Sequence, residues 1–284
     1  MSDVGLSRET MSLGDRELDS MICLRQIKGT LCRYLMQQRI NTYLLPDLVD
    51  PQELDGATVV VIDVLRATTT IICALVAGAK EIIPCQEVDE AKVRANELTG
   101  DILLGGERGG LRIEGFDLGN SPAEYSSPVV SQKSIVFTTT NGTRAMMCCQ
   151  QARRVLIGAF VNLSALCRDL AAVDKVALVC AGTQGHVTLE DALFAGAAVE
   201  RLRENRTGRS IIMNDQTSIA LAVWNQALQG SDSVEKLTAV LADSGGGHNV
   251  QAIGMAKDIE FAATKDRFNV VPELNIADWR IYLP

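Results

Sequence analysis

The 284 residues carry 27 Lys and Arg against 35 Asp and Glu, a formal net charge of −8, with 47% hydrophobic but only 4% aromatic residues. That balance supplies enough apolar mass for an independent core and argues against nucleic acid as a partner, because phosphate backbones are bound through basic surfaces. No apolar run approaches the roughly 20 residues needed to cross a bilayer, and 8 scattered Cys with 2 His point to reduced thiols rather than a disulfide or zinc framework.

Met1 to Asp19 is polar and acidic and lacks a basic stretch followed by an apolar core, so residues 1–39, amphipathic and partly charged as a whole, do not read as a secretory signal. We treat them as an N-terminal extension, helical from about 20 to 38, ahead of one compact domain over 40–284, and expect a cytoplasmic protein. From Ala57 to Ile62 an unbroken β-branched run ends at Asp63, the pattern of a central strand buried on both faces. A helix is predicted from Thr69 to Ala77, a short strand at Ile82-Ile83, a helix from Val88 to Leu98 and a strand from Ile102 to Leu104. The stretch 105–122 is rich in Gly and charge and reads as a functional loop.

Strand, small polar turn and helix then recur. Ser134 to Phe137 enters Thr138-Thr139-Thr140-Asn141-Gly142-Thr143-Arg144 and a helix to Gln151; Val155 to Gly158 precedes a helix opened by Asn162; Val176 to Cys180 precedes a helix from Leu189 to Glu204. The last third is predicted to be helical over Ile211–Leu228, Val234–Leu241 and Val250–Ala263, with an extended piece at Val270-Val271. Alternating strands and helices imply an α/β fold, three layers α/β/α around a mostly parallel or mixed sheet.

Ligands of open parallel sheets lie beyond the carboxyl ends of the strands. That rule selects Asp63, Arg66, Thr68 and Thr69, then Glu107 and Arg108, then Thr138 to Arg144, then Cys180 to Gly185 with Glu190 and Asp191. Carboxylates among them suit Mg²⁺, while Arg, Thr hydroxyls and turn amides suit phosphate oxygens. Each has a plainer reading: Asp63 as a helix cap, Arg66 as an ion-paired side chain, the threonine run as an Asn-Gly turn, and Glu190 and Asp191 as complements to a helix dipole. His186 reads as a loop histidine, and His248 beside three glycines fits either class.

Two phosphatase patterns are absent. Cys180 lacks the Arg six residues on, where His186 stands, and Asp63 lacks an Asp two residues on, where Leu65 stands. Neither a Gly-x-x-x-x-Gly-Lys-Ser/Thr loop nor a Gly-x-Gly-x-x-Gly turn after the first strand is present, which disfavours a nucleotide-dependent oxidoreductase.

Taken together, Val61-Ile62-Asp63-Val64-Leu65-Arg66-Ala67-Thr68-Thr69-Thr70, Gly106-Glu107-Arg108, Gly115-Phe116-Asp117-Leu118-Gly119-Asn120-Ser121-Pro122, Thr138-Thr139-Thr140-Asn141-Gly142-Thr143, Val179-Cys180-Ala181-Gly182 and Leu189-Glu190-Asp191 resemble the 2-phosphosulfolactate phosphatases, the ComB-type enzymes of coenzyme M biosynthesis. The resemblance runs from about Thr42 to Pro272, including Asp258-Ile259 and Asp266-Arg267-Phe268-Asn269. It implies a ComB-like α/β fold and Mg²⁺-dependent hydrolysis of (2R)-2-phospho-3-sulfolactate. Asp63, Arg66 and Glu107 become the expected catalytic residues. Arg108, Asn120, Thr139, Thr140, Asn141, Gly142, Thr143 and Arg144 are expected to bind substrate, and Asp63, Glu190 and Asp191 to hold the metal. The expected partner is a small anionic phosphorylated substrate, with no nucleic acid and no membrane, and a homodimer is left open. Another phosphorylated hydroxy acid as substrate, or a non-catalytic binder of phosphorylated metabolites, are the competing readings.

Overall fold

The computed structural model describes residues 37–284 except 205–209, 230 and 232. Strand β1 (Gln37–Tyr43) opens the described chain, so Gln37 and Gln38 are strand rather than the end of a helix; the rest of the expected 20–38 helix lies outside the described residues. In β2 (Thr58–Ile62) every position is buried, with Val60 and Ile62 in one apolar cluster and Val59 and Val61 in another. Successive side chains of a strand point to opposite faces, so this β-branched run fills a core on each side of the sheet.

Helix α1 (Ala67–Val76), β3 (Glu81–Pro84), α2 (Val88–Glu97) and β4 (Ile102–Arg108) continue the alternation. β4 runs past its expected end at Leu104 and turns at Gly109-Gly110 into the two-residue β5 (Leu111–Arg112), so the start of the expected 105–122 loop is a hairpin. A short α3 (Ser127–Val130) leads to β6 (Ser134–Thr138) and α4 (Gly142–Met147), which stops short of Gln151. Then come β7 (Arg154–Gly158), α5 (Leu163–Leu170), β8 (Lys175–Cys180) and α6 (Leu189–Glu204).

The last third departs most from expectation. Ile211–Leu228 is not one helix: β9 (Ser210–Met213) pairs in parallel with β1, and α7 (Asp215–Leu228) begins only after Asn214. The Asn214 side chain accepts from Thr217 N at 2.9 Å and donates to Thr42 O at 2.9 Å, so a helix cap and a tertiary bond at one residue override the local helical periodicity. After α8 (Val234–Ala242), the expected Val250–Ala263 helix is two, α9 (Gly245–Ala252) and α10 (Ala256–Ala263), separated where Gly254 takes φ +77°. Val270-Val271 forms no strand; β10 (Glu273–Asn275) and β11 (Arg280–Tyr282) follow Pro272 instead.

The strands form one sheet in the order β5-β4-β6-β3-β11-β10-β7-β2-β8-β1-β9. β4, β6 and β3 are mutually parallel, as are β7, β2, β8, β1 and β9, but the β10–β11 hairpin joins the two blocks through antiparallel pairings, so the sheet is mixed. Those pairings reverse strand direction between the blocks, and a flat sheet would send their carboxyl ends to opposite edges. Among the described residues Ile281 and Ile82 are the register pair across the β11–β3 seam, and Asp63 from one block and Glu107 and Thr140 from the other nevertheless line one cavity. Arg280 holds the seam, its Nη1 donating to both Glu81 oxygens at 2.7 Å. Helices α5 to α10 cover one face, α1 and α4 the other, and α2 packs on the outer block, giving the α/β/α layers.

α6 and α7 cross at Gly196, where a Cβ would lie 2.3 Å from Ala220 O and 2.6 Å from the Trp224 Cβ. Gly196→Ala is expected to lower the unfolding free energy by about 1–3 kcal/mol, the usual cost of overpacking. Urea denaturation reads this, and an unchanged midpoint would contradict the close crossing.

Candidate active site

β2 passes into α1 through a turn tied by Asp63. Its Oδ1 accepts Ala67 N at 3.1 Å, and its backbone oxygen accepts Thr68 N and Thr68 Oγ1, each at 2.9 Å. The helix-cap reading of Asp63 is therefore correct as far as Oδ1. Oδ2 faces the next turn instead: a Cβ on Gly142 would stand 2.9 Å from it and 2.7 Å from the Ala67 Cβ, so the β6–α4 turn approaches this closely only because residue 142 is glycine.

Carboxylates fix the other strand ends. Glu107 accepts Thr140 N at 2.9 Å and Gly110 N at 2.7 Å, joining the β4 hairpin to the threonine turn. Asp191 accepts Val64 N at 2.9 Å and Gly182 N at 3.0 Å, joining the ends of β2 and β8. Asn141 Oδ1 accepts Gln184 N at 3.1 Å, and Thr139 and Thr143 bond each other within their own turn. A cavity of about 340 Å³ opens between these turns and α9, lined by Asp63, Arg66, Glu107, Asn120, Thr140 and Asn141 on one side and by Gly246 and Asn249 on the other.

The remaining expected site residues do not line it. Arg108, expected to bind substrate, donates to Glu107 O at 2.8 Å, Gln86 O at 2.7 Å and Thr138 Oγ1 at 2.9 Å, so its guanidinium is spent on bracing the strand end. Arg144 points to the surface and pairs with Asp47. Thr139, Gly142, Thr143, Glu190 and Asp191 are buried behind the wall. Sequence reasoning gave no site role to Asn249 or Asp258, which lie on helices far along the chain from the strand ends; the Gly245-Gly246-Gly247 run beside Asn249 was the available signal.

The electrostatics are dominated by crowded acids. Burial pushes the Asp63 carboxyl up to about 7; the Ala67 amide opposes this, the Glu107 and Glu190 charges add to it, and Arg66 lowers it. Burial, with Glu190 and Asp63 nearby, also raises Asp191 well above the carboxylate range. Glu190 is 2% exposed, its Oε2 has no hydrogen-bond partner, and Gly246 packs on it so tightly that a Cβ would stand 2.2 Å from Oε1. Asn120 Oδ1 is likewise buried and without a donor. An orphaned buried acceptor costs about 1–3 kcal/mol. Acceptors in excess of donors, all of them oxygen, are the chemistry of a hard-cation site. Among the described residues no three His, Cys, Asp or Glu stand in metal-ligand geometry. Cys180 is 1% exposed, and burial followed by the charges of Asp191 and Glu190 raises its thiol well above the usual range, the opposite of what a nucleophile needs.

A profile of the 2-phosphosulpholactate phosphatase family matches residues 43–276. The chain belongs to that family. Its relatives include proteins named probable 2-phosphosulfolactate phosphatase from Caldanaerobacter subterraneus subsp. tengcongensis, 38% identical over 237 residues, which is 83% of this chain and 95% of the relative, and from Deinococcus radiodurans, 39% identical over 239 residues, 83% and 93%. A third, from Thermotoga petrophila, is 39% identical over 217 residues, 76% and 88%. The family is one of phosphoric monoester hydrolases, and the matched span contains every cavity residue named above.

The raised Asp63 makes a prediction whose sign is opposite to that of a paired acid. The folded protein keeps this proton up to about pH 7, while the unfolded chain releases it near 3.8, so stability falls between those values, by roughly 1.4 kcal/mol per pH unit at most, and levels off above. Asp63→Asn lacks this slope. Denaturation of both proteins from pH 4 to pH 8 should show the variant gaining on wild type until about pH 7; parallel curves would show that Asp63 ionises normally.

Proposed function

We propose that this chain is a Mg²⁺-dependent phosphatase that hydrolyses (2R)-2-phospho-3-sulfolactate to 3-sulfolactate and phosphate in the cytoplasm, as in coenzyme M biosynthesis. The observation that carries the reading is geometric: Asp63, Glu107, Asn120 and Arg66 line one cavity, bringing carboxylates, a buried amide oxygen and a guanidinium together. Asp63 and Asn120 Oδ1 are the cavity oxygens that would hold Mg²⁺, and the buried Glu190 behind them would add negative charge. The ion would supply positive charge for the phosphoryl oxygens and a more acidic water. Asp191 keeps the ends of β2 and β8 in register behind them. Arg66 and the polar side chains of Thr140 and Asn141 face the phosphoryl group, and Glu107 holds the Gly110 and Thr140 turns that frame it.

A second substrate reading has its own observation. Among the described residues, the α9 side of the cavity presents Val250, Ala252 and Ile253 around the single amide of Asn249 and no cation, and this mostly apolar surface favours a phosphorylated hydroxy acid with a less charged tail. Phosphate release from a panel of phosphorylated hydroxy acids, with and without the sulfonate, decides between them. Release is expected with Mg²⁺ and none in excess chelator; full activity in chelator contradicts the metal, and no release from any ester leaves a binder of phosphorylated metabolites. Cys180→Ser is expected to keep kcat within about tenfold of wild type, a barrier change of roughly 1.4 kcal/mol from packing alone. An inactive, folded Cys180→Ser would make the thiol the nucleophile.

A further inference from the structure

Arg66 enters the cavity from the turn before α1, yet nothing on its own element holds the guanidinium. Its Nη1 donates to Asp258 Oδ2 at 2.9 Å and contacts Met255 Sδ at 2.7 Å, and its Nη2 donates to Gly110 O at 2.6 Å. The ion pair is buried, with side chains 3% and 6% exposed. Asp258 is fixed in turn: Ser121 Oγ donates to its Oδ1 at 2.6 Å. Ser121 follows Asn120, whose side chain lines the cavity and whose backbone oxygen accepts Thr70 Oγ1 from α1 at 2.9 Å. Gly110 N meanwhile donates to Glu107 at 2.7 Å. One continuous set of bonds thus runs from α10 through Arg66 to Glu107, across three parts of the chain that are distant in sequence.

We propose that Asp258 is a positioning residue for the phosphatase reaction, and that with Ser121 it sets the orientation in which Arg66 offers its remaining N–H groups to the phosphoryl oxygens. A guanidinium is a rigid planar fork, and its value to a developing phosphoryl charge depends on where the fork points. A carboxylate paired to one nitrogen while the other grips Gly110 O leaves a single orientation open. This rests on the phosphatase reading above. It adds that the α10 helix, which supplies no atom to the reaction, controls the rate through Arg66.

The test is a double-mutant cycle. Ser121→Ala and Asp258→Ala are made in wild type and in Arg66→Ala, with kcat and KM measured separately on the best substrate of the panel and folding checked by circular dichroism. In wild type, kcat is expected to fall about threefold to tenfold for Ser121→Ala and about tenfold to a hundredfold for Asp258→Ala, and both effects are expected to shrink below about twofold once Arg66 is gone. The same loss with and without Arg66, or none in wild type, overturns the proposal. If Asp258→Ala fails to fold, Ser121→Ala carries the test alone. Should wild type hydrolyse no ester, the phosphatase reading fails by itself. Calorimetric titration of inorganic phosphate then reads the same cycle: weaker binding in Ser121→Ala that vanishes in the Arg66→Ala background supports the positioning role, and equal weakening in both backgrounds overturns it.

Discussion

Burying several carboxylates in one place is the constraint around which this molecule is arranged. Asp63, Glu107, Glu190 and Asp191 are each at most 8% exposed, and removing such groups from water is costly unless hydrogen bonds or opposite charges replace it. Asp191 is satisfied by the backbone amides of Val64 and Gly182 and Glu107 by those of Gly110 and Thr140, so the acids that the site must bury also staple its strand ends together. Glu190 Oε2 is left without a donor, and burial, with the Glu107 and Glu190 charges adding to it, raises Asp63 to about 7. What remains is a set of oxygen acceptors beside a paired arginine, and the proposal that a hard cation and a phosphoryl group bind there together rests on it.

The topology makes that meeting possible in an unusual way. Asp63 and Asp191 belong to the β7-β2-β8-β1-β9 block and its crossovers, whereas Glu107 lies near the end of β4 and Thr140 follows β6 in the β4-β6-β3 block. The rule that ligands bind beyond strand carboxyl ends holds for each block, but the central antiparallel hairpin sets the blocks in opposite senses. Between the blocks lies the short seam at Ile82 and Ile281, where Arg280 pairs with Glu81, and residues from both rims line one cavity. Helices from the last third then close the remaining side, with Gly246 and Asn249 on α9 and Asp258 on α10 reaching the rims from outside the sheet.

Much of this was legible in the sequence because the information is local. A β-branched run ending in Asp63 specifies a buried strand and a polar strand end, and the Thr138 to Thr143 turn specifies a tight loop before a helix. The strand-end rule therefore found Asp63, Arg66, Glu107, Thr140 and Asn141, all of which line the cavity. It also selected Arg108 and Arg144, because position along the chain does not encode side-chain direction; the carbonyls of Gln86 and Glu107 turn one aside and Asp47 the other. β9, β10 and β11 escaped because each exists through a partner strand contributed from elsewhere, and Asp258 drew no attention because it meets the cavity only by pairing with an arginine 192 positions away. The family resemblance supplied chemistry that spacing alone did not.

The direct measurement is calorimetric linkage between Mg²⁺ and inorganic phosphate on the wild-type protein. If the acid-rich cavity receives cation and phosphoryl group as a unit, phosphate should bind at least about tenfold tighter in saturating Mg²⁺ than in chelator, a coupling of roughly 1.4 kcal/mol, and Mg²⁺ should tighten by the same factor when phosphate is present. Equal phosphate affinity with and without the ion would contradict a shared site and leave the buried carboxylates as structural staples alone.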